Sequence, residues 1–137
     1  MKVSIITVCY NSESHIASAI ESVSFQSYSD IEYIIVDGNS RDRTLSIINF
    51  YDRKIDKFIS EPDEGIYDAM NKGVSLATGD VIGILNSDDF YLNNDVISQV
   101  VQAFEKKSNV DMVLGNVDFV SSENIALPAF PQWTFLS

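Results

Sequence analysis

Two kinds of apolar pattern alternate along this chain, and that alternation restricts its architecture more than any single residue does. "VSIITVC" (3–9) and "IEYIIVD" (31–37) are nearly unbroken apolar, β-branched runs, as expected of strands covered on both faces. Between them Ile16, Ala19, Ile20 and Val23 recur at helical spacing after the polar stretch "NSES" (11–14), which offers cap residues for a helix through about Gln26. The second run closes in the turn "DGNS". Leu45, Ile48 and Tyr51 then predict a helix over about 41–53, capped by Asn39 or Ser40. A short strand "KFISE" (57–61) and the loop "PDEG" lead into a helix over 66–77, with Ala69, Met70, Val74 and Ala77 apolar despite Gly73. A strand "DVIGILN" (80–86), a helix over 94–106 and a strand "VDMVLGNVDFV" (110–120) running into an edge or hairpin complete the pass.

Such alternation predicts an α/β fold: an open, mostly parallel sheet with helices on both faces. Ligands of these sheets bind beyond the carboxyl ends of the strands, where the strand order switches. The polar strand ends here are "CYNS", "VDGNS" and "LNSDDFY", and they are expected to meet in one crevice.

Charge narrows what could enter it. Nine basic against 20 acidic residues give a net charge of −11, which argues against nucleic acid or an anionic membrane as partner. A phosphorylated small molecule is still feasible where a metal ion or backbone N–H groups meet its phosphates. A single cysteine, Cys9, provides no disulfide framework, and no apolar run approaches the roughly 18 residues of a membrane span. With no signal peptide ahead of the first strand, a cytoplasmic location is expected.

Asp88 and Asp89 are adjacent like charges, which repel unless a cation sits with them. One aspartate would serve the dipole of a following helix. Two point to a divalent cation, Mn²⁺ or Mg²⁺, which takes one or two carboxylates together with substrate phosphates. Asp37 reads either as a turn residue or as an acceptor for a nucleobase or ribose, and Tyr10 either as cover for the sheet edge or as a stacking surface. Asp63 or Glu64 favours a helix start, while Asp68, Asn71 and Lys72 either face the crevice or lie on an ordinary helix. The first strand is followed by no G-x-G-x-x-G, so the dinucleotide fingerprint is absent. Nor does a carboxylate end that strand, which demotes receiver domains and aspartate phosphatases.

As a set, "VSIITVCYN", "IEYIIVDGNSRDRT", "DEGIYDAMNKGVSLATGDVIGILNSDDFY" and "DMVLGNVDFV" resemble the inverting family 2 glycosyltransferases of GT-A fold, a Rossmann-like nucleotide-diphospho-sugar transferase architecture. The wording "GIYDAMNKG" and "LNSDD" is similar to a subgroup that builds bacterial O-antigen and exopolysaccharide. The resemblance implies that Val8, Cys9 and Tyr10 line the base of a nucleoside diphosphate, with Tyr10 near uracil, and that Asp37 hydrogen-bonds the base. It implies Asp89 as a direct Mn²⁺ or Mg²⁺ ligand, with Asp88 at the metal and nearer the ribose or sugar. Asn71 matches an asparagine of the helix after the donor loop, with Lys72 beside it as a further donor contact. Met70 stands where many relatives have arginine, and Asn86 where many have aspartate.

The donor so implied is a UDP-sugar, and the acceptor a saccharide or lipid-linked saccharide, with the protein cytoplasmic or peripheral at the inner membrane. Relatives run longer, and their later half carries the acceptor site and catalytic base. Residues 1–120 are thus expected to be a truncated nucleotide-sugar-binding region, and 121–137 a hairpin or tail leading toward an acceptor-binding half. Neither Asp118 nor Glu123 matches the motif of the base, so no catalytic base is assigned. Phe130, Trp133 and Phe135 in the tail either pack back on the sheet or mark a surface for the other half or a second subunit of a homo-oligomer. The alternatives are a non-catalytic nucleotide-sugar-binding module and a receiver-type signalling domain.

Overall fold

The computed structural model describes residues 1–107 and 109–120, and the backbone of 134–136. Four strands, β1 (Val3–Cys9), β2 (Ile31–Asp37), β3 (Lys57–Ser60) and β4 (Val81–Ile84), form one sheet in the order β3-β2-β1-β4, parallel throughout. The helices between them are α1 (Ile16–Ser24), α2 (Thr44–Phe50), followed by one 3₁₀ turn (Asp52–Lys54), and α3 (Ile66–Leu76). A fourth helix, α4 (Val96–Lys106), follows β4.

Side chains alternate across the sheet, so residues of one parity share a face. Ile6 and Val8 of β1 with Ile34 and Val36 of β2 make a core with Ala69 of α3, joined by Ile59, Met70 and Leu76. The opposite parity, including Ile5, Tyr33 and Ile35, is equally buried on the side where α1 packs on β1. Every residue of β1 is buried, which is why its sequence is continuously apolar rather than alternating. Gly73, out of place in a helix by propensity, is where α3 presses closest to the sheet. A methyl group there would collide with Ile6 Cγ2.

Some local expectations shift. Helix α2 begins only at Thr44, and neither Asn39 nor Ser40 caps it; Asp42 Oδ1 instead accepts the Thr44 N–H at 2.9 Å. No side chain of "NSES" caps α1 either, because the Ser12 carbonyl accepts the His15 and Ile16 N–H groups. Val74 of α3 is exposed, and Tyr51 is half-buried with its hydroxyl donating to Glu21 at 2.6 Å.

The chain divides into two compact units, Met1–Ser98 and Gln99–Ser137. Within the second, the expected strand over 110–120 shortens to β5 (Met112–Leu114), which pairs antiparallel with β6 (Thr134–Leu136). Glu123, Phe130 and Trp133, and the side chain of Phe135, lie outside the described residues. Among the described residues no helix is long and apolar enough to cross a membrane.

Candidate active site at the carboxyl edge of the sheet

Register sets the first row of the site. Cys9, Asp37 and Ser60 end β1, β2 and β3 as direct neighbours across the sheet, so their side chains share one face. Asp37 is fully buried, and its carboxylate is held by the Ser40 N–H (2.9 Å), the Ser40 hydroxyl (2.5 Å), the Ser60 hydroxyl (2.7 Å) and, more weakly, the Cys9 thiol (3.5 Å). All four donors are neutral. Asp37, expected to bond a nucleobase, therefore turns inward and fixes the turn after β2. Burial, then the charge of Asp37, push the Cys9 thiol far above its usual range, so Cys9 stays a protonated donor. Val8 is a core side chain and Cys9 is buried as well, so neither offers an exposed side chain at this edge.

A second set of bonds stitches the loops. Asn11 and Asn39 hold left-handed φ of 48° and 65°, which asparagine tolerates better than most residues. The Asn11 N–H donates to Ser40 Oγ at 2.8 Å, and the Arg41 N–H returns to Asn11 Oδ1 at 2.9 Å. The Ser12 N–H donates to Thr44 Oγ1 at 2.7 Å, and its hydroxyl meets that of Ser87 at 2.8 Å. That last contact crosses from the end of β1 to the end of β4, the place where strand order reverses. The ends of β1, β2 and β4 are thereby joined at one edge.

Beyond β4, Leu85 is buried and bonds its N–H to the Ile6 carbonyl, carrying the ladder up to the acidic turn. The Asp89 N–H donates to the Asn86 carbonyl at 3.1 Å, and Asn86 Nδ2 reaches Asp89 Oδ2 at 3.3 Å. Asp88 and Asp89 are exposed, while Asn86 Oδ1 is buried without a hydrogen-bond partner. Gln26 anchors the far side of this segment, donating to the Asn93 carbonyl at 2.7 Å and accepting the Ile97 N–H at 3.0 Å. Among the described residues, no three His, Cys, Asp or Glu side chains converge to enclose a metal. Two open carboxylates beside an orphaned amide oxygen nevertheless suit a hard divalent cation whose remaining ligands come from phosphate and water.

The loop before α3 closes the edge on the β2–β3 side. Its Glu61 N–H donates to the Asp37 carbonyl at 3.0 Å. Lys72 Nζ bonds the Pro62 carbonyl at 3.0 Å and pairs with Glu61 at 3.0 Å and Asp68 at 3.3 Å. The hydrogen bond to Glu61, with that to Asp68, raises the Lys72 pKa, and Asp68 is held low by the Glu64 N–H and by Lys72. Lys72 is thus a brace for this loop, with its charge already matched by two carboxylates. Gly65 begins α3 at φ 114°, a conformation that demands glycine. Asn71 is exposed on α3, and Tyr10, just after β1, is 61% exposed. Asp63 lies over Gly38 next to that ring: a methyl group built on Gly38 would sit 2.5 Å from Asp63 Oδ2 and 3.5 Å from Tyr10 Cδ2.

From sequence, no site role falls to the hydroxyls of Ser12, Ser40, Ser60 and Ser87, with Ser40 read as a helix cap, nor to Gly38 and Asp63, with Asp63 read as a helix-start charge. Ser60 was recoverable, since the last residue of a third parallel strand falls in the same row as Cys9 and Asp37.

Comparison with known proteins fits this geometry. The Glycosyl transferase family 2 model matches residues 4–131. An uncharacterized glycosyltransferase of Mycobacterium tuberculosis is 36% identical over 114 residues, 82% of this chain and 44% of that protein. A PGL/p-HBAD biosynthesis glycosyltransferase of Mycobacterium bovis is 33% identical over 117 residues, 83% of this chain and 46% of that one. The chain thus spans less than half the length of these relatives. The crystal structure of S. aureus TarS 1–349 in complex with UDP-GlcNAc superposes with TM-score 0.72 at 26% identity, covering 77% of this chain and 32% of that fragment. A mannosyltransferase from Pyrobaculum calidifontis, solved with GDP-Man and Mn²⁺, shares the fold with TM-score 0.70 at 23% identity over 75% of this chain and 32% of its own. These matches set aside the receiver-type alternative. The chain belongs to glycosyl transferase family 2.

Proposed function

We propose that the protein binds a nucleotide sugar, a UDP-sugar, at the carboxyl edge of its sheet and serves its transfer to a saccharide or lipid-linked saccharide with inversion at the anomeric carbon. The observation that carries the reading is the exposed pair Asp88 and Asp89, tied through Ser87 and Ser12 to the end of β1 at the switch point. An edge this acidic attracts a diphosphate only with a cation between them. Asp89, with Asp88, would hold Mn²⁺ or Mg²⁺, and a cation bound there offsets the charge on the departing diphosphate.

The remaining residues place the donor. The Tyr10 ring offers a stacking face for the base, and the backbone at Val8 and Cys9 lies beneath it. Asp37 shapes the turn that the base meets, Lys72 stiffens the loop before α3, and Asn71 and Asp88 contact the sugar side. In the transfer, an acceptor oxygen forms a bond to the anomeric carbon as the bond to the diphosphate breaks. The electron pair leaves on the diphosphate, and the hydroxyl proton passes to a base to which no residue is assigned. TarS with UDP-GlcNAc supports a nucleotide-sugar donor, and the glycolipid-pathway name of the Mycobacterium bovis relative supports a lipid-linked acceptor. We place the reaction at the cytoplasmic face of the inner membrane, with residues 1–120 as the donor-binding region and 121–137 leading toward the acceptor side.

Titration calorimetry with UDP-sugars and Mn²⁺, followed by incubation with lipid-linked saccharides, tests the reading. Binding with transfer supports it in full. Binding without transfer shows a nucleotide-sugar-binding module, and no binding of any nucleotide overturns it.

A further inference from the structure

We propose that Asp63, rather than Asp37, reads the nucleobase, and that the protein therefore selects bases carrying a ring N–H on their Watson–Crick edge. This deepens the nucleotide-sugar reading above and rests on it. Three observations converge. Asp37 has no oxygen to offer, since its carboxylate is fully buried and held by Ser40, Ser60 and Cys9. Gly38, the next residue, has no side chain, and the space a Cβ would take is filled by Asp63 Oδ2 at 2.5 Å, beside Tyr10 Cδ2 at 3.5 Å. Asp63 Oδ1 accepts the Gly65 N–H at 2.9 Å, which aims the carboxylate, while Oδ2 makes no hydrogen bond among the described residues.

The carboxylate is also pre-positioned. On one side of it the Glu61 N–H is bonded to the Asp37 carbonyl, and Lys72 bonds the Pro62 carbonyl. On the other side the Glu64 N–H is bonded to Asp68, itself paired with Lys72. A ring stacked on Tyr10 would present its edge to an acceptor that is already oriented, so little ordering remains to be done on binding.

An ionised carboxylate only accepts. Uracil N3–H and guanine N1–H can donate to it, whereas cytosine N3 and adenine N1 turn lone pairs toward it. A site built to pair a donor rejects an analogue that lacks one far more strongly than shape alone does.

The test is titration of UDP, GDP, CDP and ADP, each with Mn²⁺, against the wild type, Asp63→Asn and Gly38→Ala. The asparagine keeps an oxygen for the Gly65 N–H. An alanine at Gly38 meets only the movable end of Asp63 and Tyr10, so it displaces the carboxylate while sparing the fold. The wild type is expected to prefer UDP or GDP over CDP and ADP by about tenfold or more, the worth of one charged hydrogen bond. In both variants that preference should fall below about threefold with the thermal midpoint unchanged. An unchanged preference in Asp63→Asn, or equal binding of all four nucleotides by the wild type, overturns the Asp63 assignment and leaves the donor-binding reading standing. Failure of the wild type to bind any of them overturns both.

Discussion

Strand β2 carries a buried carboxylate near each end, and the two are handled in opposite ways. Glu32, at the amino end, is paired with Lys57 at 2.9 Å and Lys2 at 3.3 Å. It also accepts from the Ser4 hydroxyl (2.6 Å) and from the N–H and hydroxyl of Thr78, both at 2.8 Å. Asp37, at the carboxyl end, meets only neutral donors, and Asp63, Asp88 and Asp89 add further acidic groups at that end. One end of the sheet closes its electrostatics within the protein. The other leaves them open, and Lys72, which reaches the adjoining loop from α3, is already matched by Glu61 and Asp68. The contrast teaches that the chain neutralises its buried carboxylate at the amino end and leaves Asp88 and Asp89 exposed at the carboxyl edge, as the proposed cation-assisted binding requires.

The largest effect that would sharpen this contrast is on stability at the amino end. Glu32→Gln leaves two lysines and two hydroxyls around a neutral amide, and urea denaturation should show a loss of about 3 kcal/mol, moderated because Lys2 and Lys57 are partly solvated. Nucleotide binding by the folded protein should not change. Burial alone would raise the Glu32 pKa, but hydrogen bonds from Ser4, Lys57 and Thr78 outweigh it and hold the carboxyl well below the usual range. Its folded value lies below its unfolded one. Its contribution is therefore complete above the unfolded glutamate value of about 4.3 and is lost as pH falls further. Glu32→Gln should flatten that acid limb of the stability curve.

Next comes Asp37→Asn, which turns an amide N–H₂ toward hydroxyl and N–H donors. We expect a loss of about 2 kcal/mol, with UDP binding weakened as the turn after β2 loosens. Smaller still, Ser12→Ala and Ser87→Ala should each cost about 1 kcal/mol, with a measurable coupling in a double-mutant cycle because they share one bond. Removing charge from the exposed pair is the smallest change: Asp88→Asn and Asp89→Asn should stay within about 0.5 kcal/mol of the wild type in urea melts.

Most of the frame was legible in sequence because continuous apolar runs and helical spacing report burial directly. β1 and β2 match their expected limits of 3–9 and 31–37, and Ile16, Ala19, Ile20 and Val23 are the buried residues of α1. What escaped was decided by contacts between distant segments. Ser40 looks like a helix cap from its place in "DGNS", but the row Cys9–Asp37–Ser60 draws its hydroxyl back onto Asp37. Lys72 looks like a free cation until its two partners come from the loop and from the preceding turn of α3. The position of Asp63 over Gly38 depends on how the 61–65 loop returns to the sheet, which no local pattern encodes.

On the proposed reading, Asp88 and Asp89 need a cation to hold a diphosphate. That requirement is tested most directly by titrating UDP into the wild type and into Asp89→Ala, with Mn²⁺ and then with EDTA. Binding in the wild type is expected to depend on Mn²⁺ and to drop by at least about tenfold in EDTA or in Asp89→Ala, with both proteins equally stable. Equal UDP affinity in all these conditions would contradict it.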